Sequence, residues 1–255
     1  MVGKSGKEAM SLRDHLNELR KRLFIVVIVV MIATAFAFMF RDWVMSFLLA
    51  PAQGFGGALE SKPIFTEPAE MIGITMKVSL MAGFILALPV VLYQIIMFVS
   101  PGLTSRERTY VFAFLPGTLL AFCMGVVFGY YVMFPPALNF LFSFGTETAT
   151  PLIRIGPYIN LITSLLFWMG LIFELPIVMF LLARLGIIDD RRLARYRRHF
   201  IVVAFIAAAI ITPTVDPINQ SLVAIPIVVL YEAGIWLAKI AVRLRRSPKA
   251  EVKSV

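Results

Sequence analysis

Apolar residues run through this chain in long blocks separated by short charged stretches. Six blocks stand out, at about 23–40, 71–100, 110–134, 158–183, 200–212 and 218–238. Crossing a hydrocarbon core of ~30 Å takes ~20 helical residues at ~1.5 Å each, and four of the blocks reach or approach that length. The fifth is shorter. The sixth opens on Asn219, Gln220 and Ser221, so its apolar part is short as well. Together 200–238 reads as a stubby helical hairpin turning at Thr212-Pro213-Thr214-Val215-Asp216-Pro217, with a single re-entrant hairpin as the rival reading. The expected fold class is therefore all-α: a polytopic membrane protein of six transmembrane helices with short fifth and sixth spans. Pro89, Pro116, Pro176 and Pro226 fall within the blocks. Each removes one backbone hydrogen bond and tends to bend its helix, so four together favour a bent, concave bundle. The second block, at ~30 residues, needs tilt or a bend at Pro89.

Charge placement orients the spans. Of the 24 lysines and arginines, 20 lie in 1–22, 101–109, 184–199 and 239–255; the others are Arg41, Lys62, Lys77 and Arg154. The intervening segments are poor in basic residues and carry Asp42, Glu60, Glu67, Glu70, Glu147 and Asp216. A net charge of +9 would point to nucleic acid in a soluble protein; here its alternation places both termini and the loops 101–109 and 184–199 in the cytoplasm. Composition agrees: 60% hydrophobic residues, 15% charged and a mean hydropathy of +0.87 belong to the membrane class. The polar stretch 1–22 and the apolar run after it hold no cleavage site, so the first span is expected to stay in the mature protein. The expected organisation is a disordered end at 1–10, a six-span membrane domain at 11–240 and a basic cytoplasmic tail at 241–255.

Polar residues within or beside the spans are the candidates for function, because an ionisable group at the bilayer centre costs about 2.5–3.5 kcal/mol on insertion scales. Glu174 lies deep in the fourth span, either as a protonated or water-solvated group facing a cavity or as a polar point in a groove that receives a partner. Lys77 is placed to snorkel to the outer interface. Glu232, close to Lys239, reads as an interfacial structural residue. Before the first span, Ser11-Leu12-Arg13-Asp14 has capping-box form, and Leu12, Leu16, Leu19 and Leu23 make one helical stripe with Asp14, Glu18 and Arg22 on another face. That pattern describes an interfacial helix over 11–22, on the inner membrane surface and feeding the first span. Glu18 and Glu107 then share one membrane face. Two carboxylates there suit guanidinium groups, which pair with them in charge-assisted fashion; a solvated charged face is the alternative.

Catalytic motifs are missing from the sequence: it holds no His-Glu-x-x-His, Gly-x-Ser-x-Gly or Gly-x-x-x-x-Gly-Lys-Ser/Thr. Gly3-Lys4-Ser5 is a fragment of the last with no glycine-rich loop. His15 and His199 have no acidic or cysteine cluster beside them, and Cys123 lies alone mid-span. No enzyme, no metal and no cofactor are expected. Neither is an internal repeat visible, which weighs against a small-solute transporter that would use Glu174 and Lys77 as coupling charges. A membrane-embedded hydrolase stands further back still.

Several motifs in order carry a resemblance: His15-x-x-Glu18-Leu19-Arg20-x-Arg22, then Leu88-Pro89-x-x-Leu92-Tyr93-Gln94-x-x-x-Phe98, then Pro101 to Glu107-Arg108. They continue with Phe173-Glu174-x-Pro176, Thr212-Pro213 with Asp216 and Gln220, and Leu230-Tyr231-Glu232. Over 11–240 the chain resembles TatC, the multi-spanning subunit of the twin-arginine protein translocase. The resemblance implies a glove-shaped six-helix fold whose concave face holds Glu174. It implies a cytoplasmic patch for the paired arginines of signal peptides on folded cargo, with Glu18, Arg20, Arg22, Phe98 and Glu107 as the matching residues. Asp216 and Gln220 match positions that meet single-span partner subunits of TatA and TatB type. The chain departs from the family at Thr104-Ser105-Arg106, where many relatives carry an aromatic and a histidine, and at Thr109, where a second basic residue is common. The implied location is the cytoplasmic (inner) membrane of a prokaryote.

Overall fold

A computed structural model of the chain describes residues 12–54, 63–99, 105–143, 153–212 and 216–246. Expectations for 1–11, the loop 101–104, the turn 213–215 and the tail 247–255 fall outside the described residues. Ten α-helices follow in order among those described: α1 (Leu12–Met39), α2 (Arg41–Leu49), α3 (Glu70–Val99), α4 (Ser105–Phe128), α5 (Phe134–Ser143), α6 (Ile155–Phe173), α7 (Leu175–Leu185), α8 (Asp190–Arg195), α9 (Arg197–Ile211) and α10 (Pro217–Arg246). Five stretches are long and apolar enough to cross a membrane: 16–39, 70–98, 112–141, 155–185 and 217–244. The expected fifth span, α9, is not among them: its 15 residues span only about 22 Å. Its partner α10 runs on for 30 residues because basic positions such as Lys239 and Arg243 continue the helix beyond its apolar part.

The segment expected to lie on the membrane surface and the first span form one unbroken helix, α1. No glycine or proline interrupts 12–39, so nothing in the backbone breaks the i→i−4 ladder between them. Proline acts unevenly elsewhere. Pro89, Pro116 and Pro226 sit inside continuous helices, whereas Pro176 follows a genuine break, a single turn residue, Glu174, between α6 and α7. A second irregularity is the π-helical turn Gly129–Met133 between α4 and α5. Pro135 and Pro136 follow it directly; lacking N–H groups, they cannot bond back to the preceding turn.

Packing centres on α6, where Ile159, Ile162, Leu165 and Met169 are fully buried. By contrast α1 is peripheral: Ala37 is its one fully buried residue among those described. Close helix approach rests on small residues, as membrane packing favours. At Gly83 of α3 a Cβ would lie 2.5 Å from the Thr34 backbone of α1. At Gly125 of α4 it would run into the carbonyl oxygen of Met169 on α6, with Gly170 Cα at 2.9 Å. Neither neighbour can yield, because both are backbone. Gly125→Val is therefore expected to lower stability by about 1–3 kcal/mol, the usual range for overpacking. Gly73→Ala, where a Cβ meets nothing within 4 Å, leaves it unchanged or higher. Thermal unfolding of the two variants checks this; equal midpoints would remove the close-contact argument.

The end of the bundle away from the start of α1 is tied by polar contacts. Tyr130 and Tyr158 donate from their hydroxyls to the carbonyls of Phe47 (2.7 Å) and Leu48 (2.9 Å), holding α2 down. Ile64 pairs with the strand-like start of α6 through Ile64 N–H to Ile153 O and Ile155 N–H to Ile64 O, each 2.9 Å. Glu70 accepts from the backbone N–H groups of Thr66 (2.8 Å) and Gly156 (3.1 Å), with Arg154 3.7 Å away. At the opposite end Arg197 pairs with Glu232 at 2.8 Å, Phe200 stacks on Tyr231, and the Tyr231 hydroxyl donates to Leu193 O. Glu232 is structural as its sequence context indicates, but its partner is Arg197 rather than the nearby Lys239.

Candidate functional site

Three chain segments come together at the end of the bundle where α1 begins. The first turns of α1 carry Glu18 and Arg22, four residues apart and so on one face of the helix. The last turns of α3 carry Gln94 and Phe98, again four apart, and α4 starts close by at Ser105 with Glu107 in its first turn. Arg22 joins the first two segments: its Nε donates to Glu18 Oε1 at 3.1 Å, its Nη2 contacts the same oxygen, and its Nη1 donates to Gln94 Oε1 at 3.3 Å. The two charged side chains are only 17% and 18% exposed, so water screens this pair less than an ordinary surface ion pair. Glu18 Oε2 is buried without a hydrogen-bond partner. A buried carboxylate oxygen left unpaired is costly, and the remedy for it is an additional donor.

The sequence reading put Glu18 and Arg22 on one helix face and offered the Glu18 carboxylate to a guanidinium. In the structure one of its oxygens is held by Arg22, and the other is buried without a hydrogen-bond partner. Arg22 thus anchors Glu18, and Gln94, a residue of the second motif that carried no assigned role, anchors Arg22. Phe98 is half-buried one turn beyond Gln94. Arg20 is exposed and, two residues from Glu18, projects from the opposite side of α1; it does not join the cluster. The backbone of Glu107 begins α4 at this end, and its side chain lies outside the described residues, as do those of Asp14 and His15.

Glu174 is remote from this cluster. It closes α6 and opens α7 at the proline-induced break, is half-buried, and its Oε1 has no hydrogen-bond partner. Val178 N–H bonds to its carbonyl at 2.9 Å, while Pro176 offers no N–H to the end of α6. A carboxyl group therefore sits beside loosened backbone deep in an apolar span. Lys77 is exposed, and its ammonium donates to Asn160 Oδ1 at 2.6 Å. Fourteen residues of α6 separate Asn160 from Glu174, about 21 Å along the axis, so the two groups named for a coupled-charge transporter stand far apart.

Asp216 and Gln220 are engaged within the chain. Asp216 caps α10, accepting from Asn219 N–H at 2.7 Å and from the Asn219 side-chain amide at 3.1 Å, the geometry of an N-cap. Gln220 donates to Phe205 O at 2.9 Å and braces α10 on α9. Among the described residues no group of His, Cys, Asp or Glu is arranged to hold a metal ion. Sequence reading missed the Glu70 cradle and the tyrosine hydroxyl anchors; Thr66-Glu67-Pro68-Ala69-Glu70, a polar start before an apolar helix, was the available signal for the first.

Comparison with known proteins bears on the whole assembly. The chain matches, over residues 14–226, the family described as TatC, Sec-independent protein translocase protein. A Sec-independent protein translocase protein TatC of Aquifex aeolicus is 40% identical over 243 residues, covering 93% of this chain and 98% of its own length. That of Carboxydothermus hydrogenoformans is 38% identical over 230 residues, 90% of this chain and 93% of its own. A crystal structure described as the twin-arginine translocase receptor TatC superposes with a TM-score of 0.79 at 40% identity, covering 89% of this chain and 99% of that one.

Proposed function

The chain belongs to the TatC family of multi-spanning membrane proteins, and from that premise we propose that it is the receptor and core component of a twin-arginine translocase. In this reading it recognises the paired arginines of signal peptides on folded cargo, and it acts by binding, not by catalysis. The observation that carries the assignment is the Glu18 carboxylate at the meeting of α1 and α3: one oxygen fixed by Arg22, the other buried and unpartnered. A guanidinium approaching from the cytoplasm supplies the missing donors. Glu107, starting α4 at the same end, takes the second arginine, and Phe98 lines the way to the apolar part of the peptide. Arg20 adds to the basic surroundings that hold the segment at the inner leaflet.

The apolar part of the signal peptide then lies along the bundle toward Glu174. Asp216 and Gln220 shape the α9–α10 turn against which single-span TatA- and TatB-type subunits pack. The membrane is the cytoplasmic membrane of a prokaryote, with both termini inside. Micromolar affinity requires only about 8 kcal/mol, within reach of two charge-assisted pairs and an apolar segment.

The test is binding of a signal peptide to the purified protein before and after both arginines are changed to lysine. Lysine keeps the charge and loses the planar fork, and affinity is expected to fall roughly tenfold. Equal affinity of both peptides would leave Glu18 without its proposed guest.

A further inference from the structure

The translocase reading leaves Lys77 unused, although it is the costliest kind of side chain to place in a bilayer. It stands seven residues into α3 from Glu70, about 10 Å below the end of the bundle opposite the start of α1. Its ammonium donates to the amide oxygen of Asn160, which neutralises no charge. Among the described residues no carboxylate lies within ion-pair distance of it.

Two clefts meet at this group, both bordered by Lys77 and Ser164. One, of about 400 Å³, runs between α1, α3 and α6 past Val30, Leu80, Phe84 and Phe167. The other, of about 410 Å³, passes along α6 to Ile210 and Ile211 at the end of α9. The arrangement is one cationic point with hydroxyl and amide groups beside it and an apolar channel on either side. Short α9 ends at this level, a hydrophobic mismatch of the kind that thins a bilayer locally and would bring headgroups toward the depth of Lys77.

We propose that this groove binds an anionic phospholipid from the leaflet opposite the termini, with its phosphate on Lys77 and its acyl chains in the two clefts. Charge complementarity selects this occupant: an apolar peptide segment would cover the ammonium and leave it unneutralised. A zwitterionic lipid brings its own cation to the same place. The inference is independent of how the arginine pair is recognised at the other end of the bundle.

Phosphatidylglycerol with a photoreactive acyl chain, incorporated with the full chain into phosphatidylcholine nanodiscs, tests it. Labelling is expected on the segments 77–84 and 160–167, and unlabelled phosphatidylglycerol displaces it about fivefold better than phosphatidylcholine, the worth of one lysine near an anionic headgroup. Lys77→Gln, at an exposed position, abolishes that preference, and Lys77→Arg retains it. Equal competition by the two lipids, an unchanged preference in Lys77→Gln, or labelling of those segments by a photoreactive signal peptide in place of lipid would each overturn the proposal.

Discussion

Glu18→Gln is expected to weaken binding of an Arg-Arg signal peptide by roughly 10–150-fold, the equivalent of the ~1.5–3 kcal/mol carried by a hydrogen bond to a charged group. The reason lies in the arrangement around the carboxylate. Arg22 already holds one oxygen, and Gln94 holds Arg22, so Glu18 is fixed before the peptide arrives and little side-chain entropy is lost on binding. Glutamine keeps the shape and replaces one acceptor with an amide donor, which repels a guanidinium. Glu107→Gln acts in the same direction, and the double variant loses more than either alone. Binding isotherms with a fluorescent peptide measure the effect, while thermal unfolding monitors the fold. Wild-type affinity in both single variants, with unfolding unchanged, would remove the docking assignment.

Glu174→Ala is expected to have opposite effects on stability and activity. A carboxyl group deep in an apolar span costs about 2.5–3.5 kcal/mol on insertion scales, and here one of its oxygens has no partner. Removing it relieves that cost, so the unfolding midpoint stays level or rises. Transport, by contrast, falls by on the order of tenfold, about 1.4 kcal/mol in the barrier. The side chain sits at the break between α6 and α7, where it offers a polar foothold to whatever crosses. Groups kept at a cost to stability are commonly kept for activity. Peptide docking changes little, because α7 separates Glu174 from the bundle end that carries Glu18. Transport by reconstituted vesicles and peptide crosslinking read the two steps separately. A lower midpoint with undiminished transport would make Glu174 a structural residue.

Much of the fold was legible because the bilayer judges each segment on its own. An apolar block of sufficient length crosses, and the basic residues beside it choose a side; both are local properties of the chain. The break at Glu174 was not legible in the same way: Pro89, Pro116 and Pro226 lack the same N–H and sit inside continuous helices, so proline alone does not mark where a span breaks. Less legible were the continuity of α1 through both its polar and apolar parts and the π-helical turn before Pro135. In each case the signal was present, an uninterrupted helix former in one and a double proline in the other, but its outcome depended on what the neighbouring helix presented.

The all-α class, the places of the long apolar helices and the identity of the polar residues worth watching were thus legible in the sequence alone. Partner choice was not. Arg22 reaches Gln94 across 72 residues, and Lys77 reaches Asn160 across 83. Such pairings depend on how each helix is rotated about its axis and how closely glycines such as Gly83 let it approach its neighbour. Only tertiary packing could therefore decide that Arg22 engages one oxygen of Glu18, that Asp216 caps its own helix, and that Lys77 has no carboxylate within ion-pair distance among the described residues.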